Sequence, residues 1–221
     1  LLIIELLDAK IRTVQQLEKA YNAPCLASVV EIPNLAQYDT YELLLPSLRE
    51  ISDRLDVVLK GGKAKLFGFL SSLDGEGKSM LSFNLARYYS SLNNKVLFVS
   101  FDTQPNPCLP GTADTGWRQM GIEEYLCNKA ELSEMLSNVD GVDVIRVQDM
   151  RPDLLDMAKS SAMPRLWEML RENYDLILTD IPATLDHPIA GTVGAYQDEL
   201  IYVLASSVSD RRLVDAGLEF M

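Results

Sequence analysis

The stretch Ser71-Ser72-Leu73-Asp74-Gly75-Glu76-Gly77-Lys78-Ser79 constrains this chain more than any other. An apolar run, Leu66–Leu70, leads into it, and an amphipathic run from Lys78 to Leu92 follows. Gly75 and Gly77 let backbone amides turn inward and approach anionic oxygens closely. Lys78 supplies a point charge for the β- and γ-phosphates of a nucleotide, and Ser79 a hydroxyl for Mg²⁺. Because the loop opens a helix, that helix adds free amides and a favourable dipole. Strand, glycine loop and helix in this order are the setting such a loop requires. One position departs: Ser72 stands where the general GxxxxGK[ST] pattern has its first glycine. The loop reads as a triphosphate cradle, with ATP as the expected nucleotide and Mg²⁺ as its cation. Its residues are Asp74, Gly75, Glu76, Gly77, Lys78, Ser79 and Met80.

Two acidic residues follow apolar runs further along. Asp180 closes Leu176–Thr179, and Asp102 follows Val96–Phe101. Carboxylates at the carboxyl ends of parallel strands lie on the ligand edge of an open α/β sheet. Asp180 is placed to hold Mg²⁺ through water. Asp102 is placed to orient a water or take a proton from a substrate hydroxyl. The metal set is therefore Ser79, Asp102 and Asp180, and the catalytic set Lys78, Asp102 and Asp180. A bland turn role is the alternative for each acid taken singly.

The rest of the chain supports an α/β, doubly wound, mainly parallel sheet flanked by helices. Thr13 and Gln16 make a capping box opening a helix through about Tyr21, which Asn22-Ala23-Pro24 ends. Cys25–Ile32 has strand character and is closed by Pro33-Asn34. A long helix follows over Thr40–Leu59, with Leu44, Leu48, Ile51, Leu55 and Val58 as its apolar stripe. Pro46 falls in its first turns. The run from Lys78 predicts a helix to Leu92, with Leu81, Leu85, Tyr88 and Leu92 on one face. Further strands are expected over Val96–Phe101, Val142–Val147, Leu176–Leu178 and Leu200–Leu204. Further helices are expected over Gly121–Leu126, Ala130–Leu136, Met163–Arg171 and Asp210–Met221. Strands alternating with helices imply parallel pairing.

The chain carries 32 acidic against 20 basic residues, a net charge of −12. That argues against a general nucleic-acid binder, whose phosphate contacts need clustered Lys and Arg. Cys25, Cys108 and Cys127 are too scattered for a disulfide framework or a zinc spacing. A single histidine, His187, leaves no histidine-based triad or multi-histidine metal site. The opening run Leu1–Leu7 is too short to span a bilayer. It reads either as the tail of a membrane helix or as a core helix.

With these residues in place the chain resembles the bacterial tyrosine kinases of capsule and exopolysaccharide assembly, within the MinD/ParA-like P-loop ATPases. Ser71–Ser79 is similar to that family's S-x-x-P-G-x-G-K-S loop, with Asp74 at the usual proline. Leu73 stands where MinD and ParA loops open with lysine. Val96–Gln104 resembles the family's second acidic motif, a strand followed by D-x-D-x-R. In that register Ser100 replaces the first Asp, Asp102 is the second, and Gln104 replaces the arginine. Asp180-Ile181-Pro182 is similar to its D-x-P, Gly121–Leu126 to its G-L-x-x-Y-L, and Arg151–Ser161 to its N-P-x-E-L-L-x-S loop.

The resemblance implies a juxtamembrane segment over residues 1–37, after a transmembrane helix, and a kinase or ATPase domain over 38–221. It implies self-association, for which Glu42 and Arg49 are what remains of an E-x-x-R-x-x-R motif. It also implies partners in the transmembrane co-polymerase and export machinery, and a place on the cytoplasmic face of the bacterial membrane. The activity implied is ATP-dependent protein-tyrosine autophosphorylation controlling polysaccharide chain length and export. Ser100, Gln104 and the eroded helix motif keep a second reading open: a nucleotide-sensing oligomerisation module with weak or absent chemistry. A MinD/ParA-like ATPase without kinase activity fits less well, because the loop lysine is missing.

Overall fold

The computed structural model describes residues 10–30, 40–62, 65–104, 120–206 and 208–219. The expectations for Leu1–Leu7, Pro33-Asn34 and Cys108 lie outside them.

Helices α1 (Val14–Tyr21) and α2 (Thr40–Lys60) precede strand β1 (Leu66–Leu70), helix α3 (Lys78–Ser91) and strand β2 (Val96–Ser100). Short helices α4 (Ile122–Leu126) and α5 (Leu132–Met135) lead to strands β3 (Ser137–Val139) and β4 (Val142–Arg146). Helices α6 (Leu154–Ala158) and α7 (Ala162–Asn173) precede β5 (Leu176–Asp180). Then come α8 (Ile189–Gly194), β6 (Glu199–Tyr202) and α9 (Arg211–Glu219). The sheet order is β3-β4-β2-β5-β1-β6, parallel throughout except for the β3–β4 edge pair.

Side-chain alternation along the strands divides the core into two layers. Leu97, Val99, Ile145 and Ile177 pack with α7 and α8 on one face. Phe98, Val142, Val144 and Leu178 pack with α2 and α3 on the other. Strands covered on both faces carry continuous apolar runs, as β1, β2 and β5 do. Phe98 meets Phe83 of α3 edge-on, with ring centroids 5.3 Å apart.

Several expectations need correction. Over Cys25–Val30 there is no strand. Its backbone is held by side chains instead: Glu18 accepts from Cys25 N, Arg54 donates to Cys25 O, and Ser47 donates to Ser28 O. In α3 the core residue is Tyr89, not Tyr88, and Leu92 is 52% exposed. Tyr89 reaches across to α2, donating to Asp56 and Ser52 O. Ala130–Leu136 shortens to Leu132–Met135, because the chain turns there into strand β3. The loop Arg151–Ser161 contains helix α6.

The Thr13–Gln16 capping box is present, and the α2 stripe Leu44, Leu48, Ile51 and Leu55 is buried. Glu42 and Arg49 are exposed on α2. Among the described residues no helix is long and apolar enough to cross a membrane.

Truncating Phe98 to Ala removes a fully buried ring between α3 and the sheet. The expected loss is about 3–5 kcal/mol of folding stability, read as a lower urea midpoint at unchanged slope.

Candidate functional site

The glycine loop leaves the end of β1 and wraps the start of α3. Gly75 and Gly77 both take left-handed backbone, at φ 83° and 91°, where only glycine is free of Cβ strain. Gly77 is the N-cap of α3, so the amides of Lys78, Ser79 and Met80 belong to the helix's unpaired first turn. Together these make an anion-binding concavity. Ser72 needs no such freedom: its φ is not positive, and its hydroxyl bonds the Tyr202 hydroxyl at 2.9 Å.

The strand order explains how two acids reach this loop. β5 lies beside β1, and β2 beside β5. Asp180 is the last residue of β5 and is 1% exposed. Asp102 follows β2, where Ser100 sits in register with Asp180. Lys78 Nζ is 2.5 Å from Asp102 Oδ2 and 3.3 Å from Asp180 Oδ1. Ser100 donates to Asp102 O and approaches Asp180 Oδ2 at 3.5 Å. Gln104 N donates to Asp102 Oδ1, fixing that carboxylate in a tight turn.

Burial dominates the electrostatics. It pushes the Asp180 carboxyl up to about 6, with Asp102 adding to the rise and Lys78 and Ser79 opposing it. Burial also works to lower the Lys78 ammonium, but Asp180 and Asp102 outweigh it and hold the group above its ordinary value. Asp74, on the exposed rim, is raised by desolvation and by Asp102.

Asp180 Oδ1 is buried and lies 3.3 Å from Lys78 Nζ, its ion-pair partner. A buried carboxylate oxygen at the mouth of the loop suits a cation. Among the described residues no group of three or more His, Cys, Asp or Glu forms a metal cluster. Two carboxylates and the Ser79 hydroxyl would suit Mg²⁺ with phosphates completing its shell.

Glu76 behaves differently from the other loop residues. Its side chain is buried and turned from the cradle. One carboxylate oxygen accepts from Leu73 N at 3.0 Å, and the other from the Ser209 hydroxyl. Ser209 Oγ also accepts from Ala205 N, and its carbonyl accepts from Ile11 N. Lys10 bridges Asp210 beside it. Sequence reasoning missed Ser209, Tyr202 and Thr184, which bonds Ser71 O. Each lies more than a hundred residues from its partner, and no local pattern announces it.

Two outcomes test this site. Asp180 keeps its proton between its unfolded value of 3.8 and about 6, where the unfolded chain has released it. Its contribution to stability is therefore present below pH 4 and lost as pH rises toward 6. Relative to wild type, Asp180→Asn should gain stability from pH 4 to 7; a pH-independent difference in urea unfolding would contradict the assignment. Ser209→Ala strips the Glu76 carboxylate of one donor and should cost about 1–3 kcal/mol, measured by thermal melting.

The comparisons with known proteins come to the same place. The chain is 28% identical over 127 residues to the tyrosine-protein kinase CpsD of Streptococcus pneumoniae, covering 57% of this chain and 56% of that protein. It is 25% identical over 165 residues to the tyrosine-protein kinase etk of Escherichia coli K12, covering 74% of this chain and 22% of that one. The chain thus spans about half of the first relative and a fifth of the second. In fold it matches the BceF tyrosine kinase domain with a TM-score of 0.80 at 20% identity, over 96% of this chain and 93% of that one. Residues 65–206, which hold the glycine loop, Asp102 and Asp180, match the AAA domain model, and the chain belongs to that family of P-loop proteins.

Proposed function

We propose that this chain is the ATP-binding domain of a bacterial protein-tyrosine autokinase acting in capsule or exopolysaccharide export. The observation that carries the reading is the Lys78–Asp102–Asp180 cluster at the mouth of a glycine loop. The names of its relatives as tyrosine-protein kinases support it.

Backbone amides from Asp74 to Met80 would cradle the phosphates, and Lys78 would leave its carboxylates for the β- and γ-phosphates. Ser79, Asp102 and Asp180 would hold Mg²⁺, which supplies charge neutralisation on the transferring phosphoryl group. Asp102 would take the proton of an incoming tyrosine hydroxyl. Catalysis is then mainly positioning and charge stabilisation. The domain would work as a homo-oligomer beside the transmembrane co-polymerase, on the cytoplasmic face of the membrane. Residues 1–37 would form the juxtamembrane segment and 38–221 the kinase domain.

A second reading is favoured by one observation: Ser100, not an acid, lies between Asp180 and Arg146 in the sheet. A site with one acid fewer would sense nucleotide and drive assembly with little chemistry.

Purified chain given Mg-ATP and probed for phosphotyrosine, beside a Lys78→Met control, separates the two. The kinase reading expects a wild-type signal at least tenfold above the control. A signal no brighter than the control, with nucleotide binding retained in wild type by fluorescence, selects the sensing module.

A further inference from the structure

Arg146 ends β4 on the ligand edge of the sheet. It is in register with Ser100 of β2, which is in register with Asp180 of β5. By alternation it shares a face with Val142 and Val144, the face packed by α2 and α3. Lys78, at the start of α3, meets Asp102 and Asp180 on this same side. Arg146 therefore stands in one row with Ser100 and Asp180, two strands from Asp180 and about 10 Å from it by interstrand spacing.

Arg146 differs from the arginines that form ion pairs. Arg54, Arg87, Arg151, Arg171 and Arg212 each meet a carboxylate. Arg146 is half-buried, and among the described residues no carboxylate or hydrogen-bond acceptor meets its guanidinium. Desolvation alone acts on it, lowering its pKa. A guanidinium does not shed its proton at neutral pH, and a partly desolvated charge without a partner is costly. Such a group beside a phosphate loop calls for an anion.

The anion's identity follows from its surroundings. Asp102 and Asp180 repel a bare anion, so the ligand must bring a cation with it, as a magnesium nucleotide does. The loop amides take the inner phosphates at the head of α3. Lys78 Nζ reaches from the head of α3 to Asp102 at 2.5 Å and stays 3.4 Å from Ser79 Oγ. The terminal phosphoryl group would extend along that line, past the end of β5 toward β2 and β4. We propose that Arg146 binds the terminal phosphoryl group of a nucleoside triphosphate, a guanidinium supplied in cis from β4. It would discriminate triphosphate from diphosphate in a loop whose residue 73 is Leu.

This inference rests on the nucleotide reading above, and the experiment keeps the two apart. Binding of AMP-PNP and of ADP, each with Mg²⁺, is measured by titration calorimetry for wild type, Arg146→Gln and Arg146→Met, the last preserving much of the aliphatic stem. Both variants should weaken AMP-PNP by about 10–100-fold, the range for a charge-assisted hydrogen bond, while ADP changes less than about twofold. Arg146→Lys should fall between them and wild type. Wild type binding neither nucleotide would overturn the nucleotide reading itself. Wild type binding both, with the variants losing ADP and AMP-PNP equally or losing neither, would overturn the role of Arg146 alone. A variant that lost its thermal transition would lose both ligands together, and Arg146→Lys then decides by the same ratio.

Discussion

The structure depends on one ammonium between two carboxylates. Lys78 sits 5% exposed, Asp102 7% and Asp180 2% as side chains. Removing Lys78 would leave two buried carboxylates without their counter-charge, a penalty that commonly exceeds what the intact cluster contributes. The arrangement is therefore poor as a stabilising device and good as a switchable one. Two acids against one base leave a surplus negative charge in a desolvated place. On the proposed reading, a divalent cation with phosphates would resolve it, giving the acids a metal and the lysine an anion. The Asp180 carboxyl is raised mainly by its burial, with Asp102 adding to the rise.

Every larger feature serves to bring those three groups together. The chain runs from β1 through α3 to β2, leaving a gap in the sheet that β5 later fills. Filling it places the ends of β1, β5 and β2 side by side, so that residues about a hundred positions apart share one edge. The apolar runs of β1, β2 and β5 do more than make a core. They bury the strands on both faces and bring Ser100, Asp102 and Asp180 together at the ends of β2 and β5.

Much of this was legible locally. The glycine loop, the α2 stripe, the Thr13 cap and the strands before Asp102 and Asp180 are written in contiguous residues, because each is fixed by backbone conformation or one-sided burial. What was not legible depends on tertiary pairing. The β3–β4 edge hairpin went unread although Asp140-Gly141, both at positive φ, is a strong turn signal; the strand before it is three residues long and half-polar. The apolar run after Cys25 suggested a strand, but side chains of α1 and α2 claim its backbone groups. Glu76 was read as part of the cradle, and its carboxylate proves to tie the loop to Ser209. That tie reaches Ile11 through the Ser209 carbonyl, so the N-terminal segment and the phosphate loop share one hydrogen-bonded chain.

Ser100 is where these threads meet. An aspartate there would lie about 5 Å from Asp180 by strand spacing, adding like charge to a group already short of solvent. It would also give Arg146 an acidic neighbour in the adjacent strand. With serine, Asp180 is spared that repulsion and Arg146 keeps its charge uncommitted. The substitution therefore does not simply subtract an acid from the site. It shifts the balance of the row from two negatives and one positive toward neutrality, moving the attraction for phosphate from the metal side toward the guanidinium. A site so rebalanced would hold a terminal phosphoryl group by direct charge contact more than through Mg²⁺. Positioning of the nucleotide can survive this shift better than activation of an acceptor hydroxyl, because the first needs positive charge near the phosphates and the second needs carboxylates.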